Sequence, residues 1–252
     1  MLREVAVVAA EDTRRSRILL QHIGAAPRLL AVHQHSEASS SDAVIALLAA
    51  GDSVAMVTDA GTPGISDPGA RVVAAVRAAG YAVVPVPGAS AVATALSASG
   101  LPADRYLFLG FPARKGRERE ADLARAAQER STIVLYEAPT RLVALLRDLA
   151  EVCGPARPAV VARELTKVHE EFRAGPLEEL ASWYEAHPPK GEVTLLLAGA
   201  PEGGDRPDPG ALRNEATALL ASGLTRKDVV RRLTESSGLG RNEVYRLVME
   251  LP

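Results

Sequence analysis

Short runs of valine, leucine and isoleucine recur along this chain, separated by longer stretches with helical periodicity. Runs that are apolar at successive positions have to be covered on both faces, so the alternation points to an α/β fold with helices on either side of parallel strands. Strands are expected at 5–10, 29–32, 53–57, 82–86, 106–111, 132–136, 159–163, 168–174 and 192–198. Helices are expected at 14–22, 39–50, 69–79, 89–99, 115–130, 140–152 and 176–185. Thr13, Asp67 or Pro68, and Thr140 stand where N-caps or first-turn residues belong.

The run Gly100-Leu101-Pro102-Ala103-Asp104 separates a small-residue helix from a new strand and is the expected hinge between two lobes, residues 1–104 and 105–200. Prolines, glycines and charges crowd 201–210, which reads as a linker. Three short helical patterns follow at 211–221, 226–235 and 242–251, an appendix over 211–252 that resembles a helix-turn-helix.

Composition narrows the function classes. The chain has 252 residues, 47% apolar and 24% charged, which is enough to bury a sizeable core. A net charge of −2 supplies no global positive field, so any nucleic-acid contact has to come from a local patch. Cys153 is the single cysteine and has no partner for an internal disulfide. Apolar runs such as 5–10 and 193–200 fall far short of the roughly 20 residues that span a bilayer, and a cytoplasmic globular protein is expected.

Function concentrates at strand ends. Thr58 to Gly69, TDAGTPGISDPG, follows a buried strand in the position where open α/β sheets bind ligands. Its glycines permit close backbone approach and its prolines stiffen it. A plain strand-to-helix connection would take only ~2–6 residues. Val83 to Ala91 repeats the logic, ending in a Pro-Gly corner and a helix start whose free N–H groups suit a polar ligand, although close packing of a small-residue helix would need the same residues. Tyr136-Glu137-Ala138-Pro139 ends another strand with a polar pair, where a capping carboxylate is the alternative role. Ala162 to Lys167 follows a further strand and suits a surface salt bridge equally well. None of these loops is a dinucleotide-binding GxGxxG or a P-loop. From the residues alone, the chain is a two-lobed α/β ligand binder.

In order along the chain, AEDTR (10–14), DAGTPGISDPG (59–69), VPGAS (86–90), LPADRYLFLGFPARK (101–115), YEAPTR (136–141), ARELTK (162–167) and KGEVTLLLAG (190–199) closely resemble one family. It is the bacterial 16S ribosomal RNA cytidine 2′-O-methyltransferase I, a branch of the tetrapyrrole methylase superfamily. The match runs over residues 5–200, and the C-terminal helices are similar to that branch's helix-turn-helix appendix. The resemblance implies two αβα lobes with S-adenosylmethionine in the cleft between them, usually in a homodimer that acts on 16S rRNA of the small ribosomal subunit. Carried over by position, Asp59, Ala60, Gly61, Thr62 and Ile65 would hold the methionine and ribose parts of the cofactor. Ser90 and Ala91 would contact it after the Pro-Gly corner, and Tyr136, Glu137 and Thr194 would lie on its adenine side. One departure stands out: family members begin with a further strand and a Pro-Ile-Gly-Asn-Leu-Gly-Asp type loop, and nothing before Leu2 corresponds to it.

Methyl transfer to an alcohol requires alignment in a dry cleft and no metal. A group that accepts the hydroxyl proton would contribute ~10²–10⁴ in rate. The candidates are Glu11, Glu164 and Lys167, with Asp12 and Asp67 beside them, each equally suited to capping or pairing. RNA contact is expected from Arg114 and Lys115, with Arg117 and Arg119, and from Arg226, Lys227 and Arg231, with Arg232. Interleaved acids such as Glu118 and Asp228 give these clusters the look of solvated helix faces too. A small-molecule or protein methyltransferase of the same fold, or a ligand-sensing regulator that binds nucleic acid, shares the general features. The AEDTR, YEAPTR and ARELTK motifs favour the ribosomal RNA enzyme.

Overall fold

A strand made wholly of apolar residues needs cover on both faces, and β1 (Val7–Ala10), every residue of which is buried, has it. In this computed structural model, which describes residues 1–33, 37–201, 209–237 and 241–251, β1 is the middle strand of a parallel sheet with β2 (Arg28–Ala31) and β3 (Val54–Val57), ordered β2-β1-β3. Helix α1 (Thr13–His22) sets Leu20 against Val8 and Ala10 on one face. Helices α2 (Glu37–Ala49) and α3 (Ala70–Ala78) pack Val44, Val72 and Val76 with Ala9 on the other.

The strand expected at 82–86 does not form. A strand needs a ladder, and β3 is paired on one edge only, to β1, with no strand on its other edge among the described residues. Val84 and Val86 accordingly stand 73% and 59% exposed.

Helix α4 (Ala91–Ser99) leads to the second sheet, which contains β4 (Tyr106–Gly110), β5 (Thr132–Glu137), β6 (Pro158–Arg163), β7 (Glu171–Pro176) and β8 (Val193–Leu197) in the order β4-β5-β8-β6-β7. This sheet is mixed rather than wholly parallel. Only β4 and β5 run parallel, while β8 is antiparallel to both β5 and β6, and β7 is antiparallel to β6. The loop between β6 and β7 is too short for a crossover, which forces a hairpin. β7 also begins later than the expected 168–174, because successive turns carry Lys167 N to Glu164 O and Glu170 N to Lys167 O. Val168 is left 94% exposed on that loop.

One face of the second sheet carries the largest core. After α5 (Arg117–Gln128) and a single 3-10 turn at Pro139–Arg141, α6 (Leu142–Cys153) presents Leu142, Leu145, Leu146 and Leu149, a helical stripe, to Ile133, Leu135, Leu195 and Leu197. Helix α7 (Leu177–Ala186) adds Leu177, Leu180 and Tyr184. The opposite face is covered by Val92, Ala95 and Leu96 of α4 against Val134, Val160, Ala162 and Leu196, so the helix that follows the Pro-Gly corner is fixed on the second sheet.

Met1–Gly199 form one unit and Ala200–Pro252 another. The second unit contains α8 (Pro209–Ala221), α9 (Arg226–Ser237) and α10 (Arg241–Met249) around its own core of Leu212, Ala216, Val229, Leu233, Val244 and Val248. Thr225 and Asp228 cap α9 reciprocally: Asp228 N donates to Thr225 Oγ1 at 3.2 Å, and that hydroxyl donates to Asp228 Oδ2 at 2.6 Å. Most of the expected linker falls at 202–208, outside the described residues.

Leu145 has no exposed surface and sits at the centre of the α6 stripe. Leu145→Ala will lower unfolding free energy by ~2–5 kcal/mol through lost transfer energy and a cavity, read as a shifted midpoint in denaturant titration.

Candidate active site

The loops after β3, β5 and β6, the start of α4 and the residues opening β8 surround a cavity of about 490 Å³, within the range of cofactor sites. The loop after β3 turns tightly: Gly61, Gly64 and Gly69 take φ of 77°, 83° and 135°, and Ser66 also adopts positive φ. At Gly69 a Cβ would overlap the Met56 side chain, so this position requires glycine on two counts. The Thr62 hydroxyl donates to Ala89 O at 3.0 Å, fastening the loop to the Pro-Gly corner. Ser90 caps α4, its hydroxyl accepting from Ala93 N.

All the residues singled out as cofactor contacts line this one cavity: Asp59, Ala60, Gly61, Thr62, Ile65, Ser90, Ala91, Tyr136, Glu137 and Thr194. Tyr136 and Thr194 are cross-strand partners on β5 and β8. The Tyr136 ring packs edge-on against Phe108 and Phe111, with centroids at 5.0 and 5.5 Å. Glu137 is buried with its side chain 0% exposed. Its Oε1 accepts from Ala138 N at 2.8 Å, whereas its Oε2 lies 3.2 Å from an Arg141 guanidinium nitrogen yet receives no aligned hydrogen bond. A buried carboxylate oxygen without a donor is costly, and here it belongs to a residue of the cavity wall.

The candidate acid–base residues separate by position. Asp67 and Lys167 line the cavity, whereas Glu11, Asp12 and Glu164 are not among its lining residues. Asp12, rather than Thr13, is the N-cap of α1; it accepts from Arg14 N at 2.8 Å and pairs with the Arg14 guanidinium, which holds its carboxyl well below the usual carboxylate range. Glu164 Oε1 accepts from Lys167 Nζ at 2.8 Å and from Glu192 N at 3.0 Å, and the lysine first and that amide second lower its pKa. Lys167 also reaches Glu192 Oε2 at 3.2 Å. Its contact with Glu164 is the foremost reason its pKa is raised. Across the cavity Arg15 of α1 pairs with Asp59 at 3.1 Å. Glu11 and Asp67 converge on Thr58, whose Oγ1 lies 2.8 Å from Glu11 Oε2 and 2.8 Å from Asp67 Oδ2.

The basic candidates divide similarly. Arg114 and Lys115 are exposed on the loop after β4. Arg119 is committed to Asp148, at 2.5 Å, and to Ala113 O, at 3.0 Å, and thereby braces that loop. Arg226 donates to Val248 O and Leu251 O, tying α9 to the end of α10, and Arg231 pairs with Asp228 at 3.0 Å. Lys227 is exposed.

Sequence reasoning gave no role to Phe111, Thr166, Gly191 or Glu192, which line the cavity, and named Thr58 only as the first residue of the binding loop. Thr58 was the residue next to a motif, and Gly191 lay inside KGEVTLLLAG, where a glycine before a strand signals close approach. Gly191 has φ of 86°, and a Cβ there would overlap the Glu164 carboxylate.

A model of the tetrapyrrole (corrin/porphyrin) methylases matches residues 1–181. A ribosomal RNA small subunit methyltransferase I from Synechocystis sp. is 46% identical over 99% of this chain and 90% of its own length. The protein of that name from Pseudomonas aeruginosa is 43% identical over 99% of this chain and 89% of its own. Among solved structures, the methyltransferase CobJ superposes with a TM-score of 0.59 at 21% identity, over 78% of this chain and 84% of that one. A uroporphyrin-III-C-methyltransferase from Thermus thermophilus does so with a TM-score of 0.56 at 25% identity, over 78% and 84%.

Gly191→Ala will lose roughly 1–3 kcal/mol of stability from backbone strain and overlap. In a double-mutant cycle Glu164→Ala will recover part of that loss, since it removes the group that the new methyl meets.

Proposed function

Because the chain belongs to the tetrapyrrole methylase family, and within it to the ribosomal RNA small subunit methyltransferase I group, we propose that it methylates the ribose 2′-hydroxyl of a cytidine in 16S ribosomal RNA, using S-adenosylmethionine. The observation that carries this reading is the convergence of loops distant in sequence on one cavity, which every residue expected to contact the cofactor lines. Asp59, Ala60, Gly61, Thr62 and Ile65 would hold its methionine and ribose parts, Ser90 and Ala91 the middle, and Tyr136, Glu137 and Thr194 the adenine side. When bound, S-adenosylmethionine supplies an electrophilic methyl group for in-line displacement by an alcohol oxygen.

The protein's own work is alignment, exclusion of water and proton removal. The Thr62–Ala89 hydrogen bond and the fixed α4 N-terminus keep the cavity wall preorganised. Phe111 and Ile65 bring apolar surface to the cavity and help displace water. Of the acid–base candidates, Asp12 and Glu164 are committed as acceptors within local structure, which leaves the pair at Thr58 nearest the cavity. Lys167, held by Glu164 and Glu192, offers a cation to the cavity. Arg114 and Lys115 contact phosphate, with Lys227 and Arg231 of the helical unit adding affinity without sequence choice. Action in the cytoplasm as a homodimer is part of the same reading; no described helix is long and apolar enough to cross a membrane.

Incubating the protein with radiolabelled cofactor and small subunits that lack ribose methylation, then mapping the label, tests the proposal. A single 2′-O-methylated cytidine in 16S rRNA is expected. Label on a base, on protein or nowhere overturns it. Replacing both Arg114 and Lys115 with alanine will reduce the slope of log affinity for RNA against log salt by about 1–2, as two lost phosphate contacts require.

A further inference from the structure

A hydroxyl has one proton to give, yet Thr58 Oγ1 sits at hydrogen-bond distance from two carboxylates, Glu11 Oε2 and Asp67 Oδ2, each at 2.8 Å. If both acids are ionised, one of these contacts is a close approach of two acceptors without a proton between them. Taking up a single proton satisfies both contacts: one carboxyl donates to Thr58, and Thr58 donates to the other. The array is therefore built to hold one extra proton.

Its placement gives that capacity a use. Asp67 lines the cavity, whereas Glu11, at the end of β1, is not among its lining residues, and Asp59 N also approaches it at 3.4 Å. From the methyltransferase reading above, on which this inference rests, we propose that Asp67 is the group that accepts the proton of the ribose 2′-hydroxyl, and that Thr58 is a positioning residue that relays it to Glu11. The step balances. The ribose oxygen forms a bond to the methyl carbon as the carbon–sulfur bond breaks, its electron pair remaining on sulfur. The hydroxyl proton goes to ionised Asp67, Asp67 gives a proton to Thr58 Oγ1, and the proton of Thr58 passes to Glu11, which releases it to water.

The surroundings of Asp67 make it a stronger proton acceptor than an ordinary carboxylate. Burial is the first cause raising the Asp67 pKa; the charges of Glu11, Asp59 and Glu192 raise it further, and the Thr58 hydrogen bond opposes them. Asp59 is paired with Arg15 and Glu192 with Lys167, while Tyr136 faces Asp67 as a neutral phenol whose own pKa is raised by burial first and Asp67 second. The base has to be ionised to act, so the single-turnover rate rises with pH through the titration of Asp67 and then levels off.

Single-turnover methyl transfer to under-methylated small subunits, at saturating cofactor and across pH, tests the relay, with cofactor affinity measured separately by calorimetry. Thr58→Val will lower the plateau rate by ~10-fold or more and move the rising limb to higher pH, because the hydrogen bond that favours ionised Asp67 is gone. Thr58→Ser will restore both, and Asp67→Asn will lose ~10²–10⁴ in rate with cofactor affinity kept. A rate that falls equally at every pH in Thr58→Val with the limb unmoved, an unchanged profile, or an active Asp67→Asn overturns the relay. If Thr58→Val does not fold, the Thr58→Ser profile decides by matching or departing from wild type. Failure of wild-type protein to label RNA would instead refute the methyltransferase reading.

Discussion

The structure hangs on β8. It is the last strand in sequence yet it lies in the middle of the second sheet, bonded to β5 on one edge and β6 on the other, with every residue buried. Leu195 and Leu197 face the α6 and α7 core, and Leu196 faces α4 on the other side. Remove it and the sheet parts into two fragments with both cores opened. The residues that lead into it, Gly191 to Thr194, are the wall of the cavity opposite the TDAGTPG loop. Closure of the fold and completion of the site are thus one event, and the chain cannot build the cavity before its last strand is in place.

That coupling explains why the loop between β6 and β7 is strained. Glu164 and Thr166 adopt φ of 52° and 65°, unfavourable for residues with a Cβ. Held so, the Glu164 carboxylate meets Glu192 N and Lys167 Nζ together and pins the entrance of β8. Gly191 leaves room for that carboxylate. An acid that looked fit for proton transfer is therefore an anchor for the strand. Thr58, which carries no charge, holds two carboxylates within hydrogen-bond distance.

The distinction shows what was legible in the sequence. Apolar runs marked all eight strands to within a few residues, since a doubly covered strand can be built from little else. The glycine-proline loop announced a site because such a turn is longer than any plain connection needs. Direction and pairing were not legible: nothing local in KGEVTLLLAG says that this strand inserts antiparallel between two earlier ones. The same limit applied to 82–86, where valines suggested a strand but a ladder needs a neighbour. Roles of acids were hidden for a related reason. Whether Glu11, Asp12, Asp67 or Glu164 caps, pairs or titrates depends on partners as far away in sequence as Glu11 is from Thr58, brought together only by β1 pairing with β3.

The balance of charge in this cavity bears on which substrates can enter. Asp59, Asp67 and Glu192 line it with Lys167 the cation among them, and each like charge repels a phosphodiester by ~1 kcal/mol at 4 Å in bulk water and by about 4 at a protein surface. In the proposed reaction the nucleic-acid backbone would stay outside the cavity, and Arg114 and Lys115 are exposed on the loop after β4. A neutral ribose hydroxyl escapes that penalty and gains from it, since neighbouring negative charge makes Asp67 a stronger proton acceptor. A cavity with more acids than bases in its lining would thus suit a nucleotide splayed from its strand, sugar inward and phosphates outward. It also accounts for how a chain of net charge −2 can be matched to a polyanion: the positive charge is needed locally, where phosphates lie, and the negative charge where the proton leaves.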